Sequence, residues 1–128
     1  MCSRSKNIAD VLTGYDNEET RDWLSQFLLS VGFEKEDGEL AFSIESCPGF
    51  TQLQQIVARF NLCRAKEIVC GDEQFTFSAS ESIRVFFSNR YTKQLFRSAF
   101  ELNGFDILGD WISENGYEGI IACKIKSP

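Results

Sequence analysis

The stretch SIRVFFSNRYTKQLFRSAFELNG (residues 82–104) decides the fold class, because a strand pattern passes directly into a helix pattern. Its first part, residues 82–88, alternates between apolar and polar positions, as a half-buried strand does. Three apolar side chains are expected on one side of that strand: Ile83, Val85 and Phe87. A strand that leads into a helix at such short range excludes an all-helical protein.

The second part of the stretch predicts a helix over 93–103. Thr92 is a residue type that caps helix N-termini, and Gly104 can adopt the left-handed conformation that ends a helix. Between them, apolar residues recur at helical spacing and form one face: Leu95, Phe96, Ala99, Phe100 and Leu102.

Another helix is predicted from Asp16 to Gly32. Asp16 is expected to be its N-cap, and Glu19 three residues later completes a start that is similar to a capping box. Its apolar face consists of Trp23, Leu24, Phe27, Leu28 and Val31. We expect the aromatic residues of both helices to be buried in one core: Trp23, Phe27, Phe96 and Phe100.

Strand patterns fill most of the sequence between the two helices. Apolar residues at alternating positions predict a half-buried strand: Leu40, Phe42 and Ile44. The sequence Cys47-Pro48-Gly49 ends that strand. Residues 52–62 fit either a helix or a strand, and we favour a strand over 55–63 because Ile, Val and Phe are stiff β-formers. Two shorter strands are predicted at 65–70 and 74–77.

The last two strand patterns, 105–112 and 117–125, flank Asn115-Gly116, and Asn-Gly between strands is a strong hairpin signal. The sequence therefore predicts an α+β fold: a mixed, largely antiparallel sheet with two main helices and a C-terminal β-hairpin. The 128 residues have room for one domain, which we expect over 14–128. Residues 1–13 are expected to be a loosely attached leader or to hold a short helix.

The composition excludes several classes of function. The chain has 13 basic and 19 acidic residues, a net charge of −6, and no histidine. Binding of nucleic acid through phosphates needs clustered positive charge, which this sequence lacks. Catalytic triads that use histidine are impossible, as are histidine-rich metal sites. No segment approaches the ~20 apolar residues that cross a bilayer, and no secretory signal is apparent, so we expect no membrane association and a cytoplasmic location.

The five cysteines are Cys2, Cys47, Cys63, Cys70 and Cys123. Their odd number and the absence of C-x-x-C spacing argue against a zinc site. Cys63 and Cys70 can in principle meet across a hairpin. We favour the alternative, in which the cysteines are small buried side chains in a reducing compartment.

The nine glycines never occur as G-x-G. A glycine-rich turn between a strand and a helix is what lets the backbone approach a dinucleotide or an adenosyl cofactor. We therefore expect the isolated chain to bind no cofactor of that kind.

Two clusters of aromatic and polar residues remain as candidates for binding. The first is Gly14-Tyr15-Asp16-Asn17, before the first predicted helix, and the second is the strand-to-helix junction at 84–92. Such junctions commonly carry ligand contacts in α/β proteins, although a helix cap with core aromatic residues is the more common explanation of each cluster taken alone. If a small-molecule site exists, we expect it among five residues: Tyr15, Arg84, Phe86, Ser88 and Tyr91.

At these clusters the sequence resembles the C-terminal part of the histidine-specific, S-adenosylmethionine-dependent methyltransferases of the ergothioneine pathway. Residues 14–17 and the helix after them are similar to that family's Ala-Tyr-Asp/Asn-Asp stretch. Residues 86–92 resemble its Glu-x-Ser-x-Lys-Tyr/Phe-Thr motif. Residues 95–125 resemble the closing helix and antiparallel hairpin of many class I methyltransferases. The similarity spans most of residues 8–126.

The resemblance implies that Tyr15 lies near the amino-acid group of a substrate and that Ser88 lies in the substrate pocket. It also identifies a departure, because Phe86 stands where the family has a glutamate that holds the substrate's imidazole and ammonium groups. A phenyl ring in place of a carboxylate removes a charge-assisted hydrogen bond and leaves an apolar wall. Histidine is then an unsuitable ligand, whereas an apolar or cationic molecule suits an aromatic wall.

The family's cofactor-binding half has no counterpart in these 128 residues. A C-terminal half by itself is expected to expose strand edges, which favours pairing with another chain. Two functions follow. In the first, the chain is a non-catalytic binding or interaction module that forms a homo-oligomer. In the second, it is the substrate-side subunit of a split methyltransferase for an amino acid or related small molecule, and a separate cofactor-domain protein supplies S-adenosylmethionine.

Overall fold

The computed structural model describes residues 8–114 and 118–127. That part of the chain contains three α-helices, one short 3₁₀ helix and seven strands. In chain order they are α1 Ile8–Tyr15, α2 Glu18–Val31, the 3₁₀ helix Lys35–Asp37, β1 Gly38–Cys47, β2 Phe50–Leu62, β3 Lys66–Cys70, β4 Glu73–Phe77, β5 Ser82–Arg90, α3 Lys93–Leu102, β6 Phe105–Ile112 and β7 Gly119–Ile125. The predicted Asn115-Gly116 turn, Cys2 and the leader up to residue 7 lie outside the described residues.

The strands form three antiparallel sheets, and the predicted α+β class is confirmed. One sheet has the order β1-β2-β5, and two further sheets are the hairpins β3-β4 and β6-β7. The C-terminal hairpin is therefore present as predicted. Helix α1 is the short helix that the sequence offered as one alternative for residues 1–13, and it extends to Tyr15.

The ambiguous segment at 52–62 is a strand, as favoured, and it is longer than predicted. Strand β2 pairs with β1 on one side and with β5 on the other, so its backbone is hydrogen-bonded along both edges. Ile56, Val57 and Ala58 are wholly buried although they alternate between the two faces of the sheet. A strand with apolar residues on both faces lacks clean alternation, which explains why its pattern also fits a helix.

The described chain divides into two compact units, Ile8–Arg90 and residues 91–127. The single domain expected over 14–128 stays a prediction. In the first unit, a cluster of buried residues forms the core: Leu28, Phe33, Phe60 and Leu62. The ring of Phe33, which lies just beyond α2, is 5.5 Å from that of Phe60 and 5.2 Å from that of Phe77, so β2 and β4 both contact this residue.

Helix α2 begins one residue later than predicted. Asn17, and not Asp16, is the N-cap, because its side chain accepts a hydrogen bond from the backbone N–H of Thr20. Asp16 instead forms an ion pair with Arg21, at 2.6 Å. The predicted end is confirmed, since Gly32 has a φ of 114° and its N–H bonds back to the last turn.

The expectation of one shared aromatic core is wrong. Trp23 is 61% exposed and Phe27 is 50% exposed, whereas Leu24 and Leu28 are buried. One residue along a helix corresponds to a rotation of about 100°, so the side of α2 that carries the leucines faces the core and the aromatic pair lies at its margin. Helix α3 has no fully buried residue, and its Phe96 and Phe100 are half-buried.

A β-bulge in β5 overturns the predicted face of that strand. Ala58 pairs with Phe86 and Arg59 pairs with Arg84, so Val85 is an extra residue without a counterpart on β2. Ile83 and Val85 pack against the core, but Phe87 is 50% exposed and lies beneath the Arg84 guanidinium. The bulge therefore places Phe87 on the opposite face from Ile83 and Val85.

The second unit consists of α3 and the β6-β7 hairpin. The Thr92 hydroxyl accepts from the N–H of Leu95, which confirms the predicted cap. Edge-to-face contacts join Phe96 to Phe100 and Phe100 to Phe105. Lys93 and Arg97 form ion pairs with Asp110, so α3 packs on one face of the hairpin.

The cysteines are less buried than predicted. Cys63 and Cys70 are exposed, Cys47 and Cys123 are half-buried, and all four are free thiols. Exposure follows from position, because Cys70 ends a strand of the two-stranded β3-β4 sheet and Cys63 lies just beyond β2. Among residues 8–114 and 118–127, no helix combines the length and apolar character that a membrane crossing requires.

Asp37 joins the end of the 3₁₀ helix to the chain that follows β2. Its side chain is wholly buried and accepts from the N–H of Glu34 at 2.7 Å and from the Arg64 guanidinium at 2.6 Å. Lys66 Nζ lies 3.1 Å away. Burial raises the pKa of this carboxyl, but the hydrogen bonds from Glu34, Arg64 and Lys66 outweigh burial and hold the pKa at about 2.

The Asp37 carboxylate should make folding pH-dependent in acid. An aspartate in an unfolded chain titrates near pH ~3.9, so the contribution is complete above that pH and is lost as the pH falls toward 2. Asp37→Asn should lower the free energy of unfolding at pH 7 by about 2 kcal/mol and should flatten this acid-induced loss. Urea unfolding at several pH values measures both. Asp72→Asn, in the exposed β3-β4 turn, should change neither, and equal behaviour of the two variants would contradict this role for Asp37.

Candidate functional site

The structure brings Tyr15 and Ser88 together from distant parts of the chain. Tyr15 is the last residue of α1 and Ser88 lies on β5, and their side-chain oxygens share a hydrogen bond of 3.0 Å. Tyr15 reaches this position because α1 is followed directly by Asp16 and the capped start of α2. Both side chains are half-buried.

Phe86 is the centre of the same group. It lies two residues before Ser88 and therefore on the same face of β5. Its ring centroid is 5.5 Å from that of Tyr15, at 41° between the planes. The Trp23 ring meets Phe86 edge-on, at 6.3 Å and 78°. We call Tyr15, Trp23, Phe86 and Ser88 the Tyr15 cluster.

Trp23 is the member of this cluster that the sequence analysis missed as a site residue. Its spacing with Leu24 and Phe27 predicts a position on the apolar face of the helix and therefore in the core. The signal that could have found it is its place on the flank of that apolar face, where a large amphipathic ring contacts the core and keeps water contact. In the structure it is the most exposed ring of the cluster, because Tyr15 and Phe86 are half-buried.

The carboxylate of Asp16, the residue after Tyr15, is already paired. Both carboxylate oxygens of Asp16 accept from Arg21, at 2.6 Å and 3.3 Å, and Arg21 also donates to the Leu40 carbonyl at 3.0 Å. The hydrogen bond from Asp16 raises the pKa of Arg21. The same guanidinium lies 5.3 Å from the centre of the Phe42 ring. Arg21 therefore fastens α2 to the edge strand β1.

The other two predicted site residues, Arg84 and Tyr91, have different contacts. The Arg84 guanidinium lies 4.8 Å from the centroid of the Phe87 ring, on the opposite face of β5 from Phe86. The bulge at Val85 separates the two faces at this point. Tyr91 belongs to the unit of residues 91–127, where its ring lies 5.3 Å from that of Phe96. The structure thus assembles Tyr15, Phe86 and Ser88, with Trp23 added.

Each unit also has an open groove. In the first unit, a groove of about 430 Å³ runs beside α2 and β1, with Leu28, Phe33 and Phe60 at its floor. In the second unit, Phe96, Phe100 and Phe105 line a smaller groove of about 200 Å³. Four charged residues also line the first groove, namely Arg21, Glu34, Lys35 and Glu39, whereas the lining of the second is aromatic or uncharged.

The residues present do not fit an adenosyl cofactor. In the described ranges every strand pair is antiparallel, and the left-handed glycines are Gly32, Gly49, Gly71 and Gly104. Gly32 and Gly104 follow helices, and Gly49 and Gly71 lie in turns between strands. None of them forms a turn from a strand into a helix N-terminus, which is where the backbone approaches such a cofactor. The described residues also contain no group of three or more His, Cys, Asp or Glu side chains that could hold a metal ion.

The chain matches no protein-family model, no curated protein and no solved structure. The resemblance to the histidine-specific methyltransferases therefore depends on the residues quoted for it. Of those residues, Tyr15, Phe86 and Ser88 form one cluster.

The Tyr15–Ser88 hydrogen bond should contribute a measurable coupling to stability. Tyr15→Phe and Ser88→Ala should each lower the free energy of unfolding by about 1 kcal/mol, because each leaves a half-buried partner without its hydrogen bond. The double variant should lose less than the sum, with a coupling of about 0.5–1.5 kcal/mol. Ser82→Ala is the matched control, since Ser82 lies on the same strand and bonds instead to Asn61. Additive losses for Tyr15→Phe with Ser88→Ala would contradict the contact.

Proposed function

We propose that this chain is a non-catalytic binding module that resembles the substrate-side part of a methyltransferase, and that its ligand surface is the Tyr15 cluster. The observation that carries the proposal is the contact of Tyr15 with Phe86 and Ser88, which lie on a strand far along the sequence and were expected at one site with Tyr15 on sequence grounds. The capping of a helix does not by itself require a hydrogen bond between the Tyr15 hydroxyl and a residue of a strand 73 positions away.

The chemistry of the cluster supports binding more than catalysis. A serine acts as a nucleophile when a neighbouring base takes its proton. The partner of Ser88 here is the phenol of Tyr15, and the chain has no histidine. The nearby carboxylate of Asp16 is held by Arg21 in two hydrogen bonds. The cluster offers hydroxyl groups and aromatic surface, which orient a ligand without transforming it.

The ligand class follows from the aromatic surface. Trp23 is 61% exposed and leads from solvent to the half-buried Phe86 and Tyr15. Apolar groups lose their contact with water on such a surface, and cations are attracted to the ring faces. The hydroxyls of Tyr15 and Ser88 provide polar contacts beside it. We therefore propose a small apolar or cationic ligand, and the free thiols of the chain suit a cytoplasmic location.

A second candidate function is the substrate-side subunit of a split methyltransferase, as the resemblance implies. The β6-β7 hairpin favours it, because within the described chain this sheet has two strands and therefore two edges without a neighbouring strand. A separate cofactor-domain protein with its own sheet would extend such an edge. In that case S-adenosylmethionine and its methyl group would be supplied by the partner, and this chain would hold an amino acid or a related small molecule.

Choline and its uncharged isostere, in which tert-butyl replaces trimethylammonium, separate cationic from apolar recognition. We expect choline to bind about two- to fivefold more tightly, because a cation over an exposed aromatic face contributes about 0.5–1 kcal/mol. Fluorescence titration in a Trp111→Phe background, where Trp23 is the remaining tryptophan, measures both affinities.

Variants locate the site of binding. Phe86→Leu should weaken choline binding in the same titration, whereas Phe75→Leu, an exposed phenylalanine on β4, should leave it unchanged. If the isostere binds and choline does not, the ligand class is apolar. Failure of both probes, or equal loss in both variants, would contradict a ligand surface at the Tyr15 cluster.

Labelled S-adenosylmethionine distinguishes these functions from a self-sufficient enzyme. Equilibrium dialysis of the purified chain should show no retention of the label, because the described glycines form no cofactor turn. Saturable binding by the chain alone would overturn the non-catalytic proposal. Retention that appears only after a second protein is added would instead establish the split-methyltransferase candidate.

A further inference from the structure

The two faces of the β6-β7 hairpin have different surroundings. Asp110 and Phe105 belong to the face on which α3 packs, through ion pairs and ring contacts. Alternation along the strands, with the bulge between Ile107 and Gly109, assigns six residues to the other face: Asp106, Gly109, Trp111, Ile120, Ala122 and Lys124. We call these six residues the hairpin outer face.

The Trp111–Ile120 end of the hairpin outer face is apolar and exposed to solvent. Trp111 and Ile120 are cross-strand partners, and they are 61% and 69% exposed. The Trp111 ring lies over Gly109, where an added Cβ would approach it to 3.2 Å. A two-stranded sheet is marginal by itself, and stable domains cover both faces of such a sheet or leave the open face polar. An exposed tryptophan beside an exposed isoleucine therefore indicates a contact surface.

The arrangement of this face is complementary to itself. Cross-strand partners lie at the same level of the hairpin: Asp106 with Lys124, Gly109 with Ala122, and Trp111 with Ile120. A two-fold axis that runs along the hairpin places β6 of one copy over β7 of the other. Asp106 then faces Lys124 of the second copy, and Trp111 faces its Ile120. Isologous contacts of this kind are the commonest basis of homodimers.

The charges of the chain also favour a second copy as the partner of the hairpin outer face. The whole chain has a net charge of −6, so two copies repel each other over most of their surface. The hairpin outer face carries one carboxylate and one ammonium group and is neutral. It is thus a surface on which two copies can meet without like charges in opposition.

We propose that the hairpin outer face is the interface of a homodimer in which two hairpins pack face to face about this axis. The proposal is independent of the Tyr15 cluster and of its ligand. Two strands of about seven residues cover a footprint of about 24 Å by 10 Å, which is well below the roughly 800 Å² per partner of a standard interface. The dimer should therefore be reversible and dependent on protein concentration.

Sedimentation velocity from about 10 µM to about 1 mM measures this equilibrium. The protein should shift from monomer to dimer across that range, and Ile120→Lys should remain monomeric. Val69→Lys is the matched control, because Val69 is a β-branched residue on the other two-stranded hairpin with nearly the same exposure, 67% against 69%. That variant should dimerise like the parent protein.

Charge reversal tests the pairing between copies even if Ile120→Lys fails to fold. Asp106→Lys and Lys124→Glu each place like charges against each other, so each variant alone should dimerise at least tenfold more weakly than the parent protein. An equimolar mixture of the two should regain the dimer, because each carboxylate then faces an ammonium group of the other chain. The double variant, with both charges exchanged in one chain, should also dimerise.

Three results would overturn the proposal. One is a parent protein that does not associate with itself at about 1 mM, whether or not it forms a complex with a different protein. Another is a dimer that survives Ile120→Lys unchanged, since that dimer uses another surface. The third is a mixture of the two charge variants that associates no better than either variant alone.

Discussion

The pairing of β2 with both β1 and β5 is the interaction on which the first unit depends. It buries Ile56, Val57 and Ala58 completely and brings Phe60 and Leu62 against α2. It also fixes the register of β5, including the extra residue at Val85. Neighbouring side chains of a strand alternate between its two faces, so one extra residue exchanges the faces of all residues on one side of it. The bulge therefore determines which residues of β5 face the helices.

The candidate binding surface is a consequence of that register. Ser88 and Phe86 lie opposite Ile56 and Ala58, on the face to which Tyr15 and Trp23 come from the helices. Arg84, on the other side of the bulge, is directed with Phe87 to the opposite face. Without the extra residue, alternation would place Arg84, Phe86 and Ser88 on one face, which is the arrangement that sequence spacing implied.

Sequence reasoning therefore succeeded where the determinants were local and failed where they were not. Gly32 and Thr92 mark helix ends through their own conformation and hydrogen bonds, and both were predicted correctly. The choice between Asp16 and Asn17 as a cap depended on Arg21, which recruits Asp16 into an ion pair. The exposure of Trp23 depends on how α2 is rotated about its own axis relative to β2. The apolar periodicity of a helix does not define that rotation to the precision of one residue.

The carboxylates with shifted pKa values serve the fold. Hydrogen bonds from Arg59 lower the pKa of Glu45, and those from Lys93 and Arg97 lower the pKa of Asp110. At Asp37, burial opposes ionisation, but hydrogen bonds from Glu34, Arg64 and Lys66 prevail. A general acid at neutral pH needs the opposite shift, produced by burial without a cationic partner. These three acidic groups are paired with basic ones, so our two proposals rest on apolar surfaces, at the Tyr15 cluster and at the hairpin outer face, and not on these carboxylates.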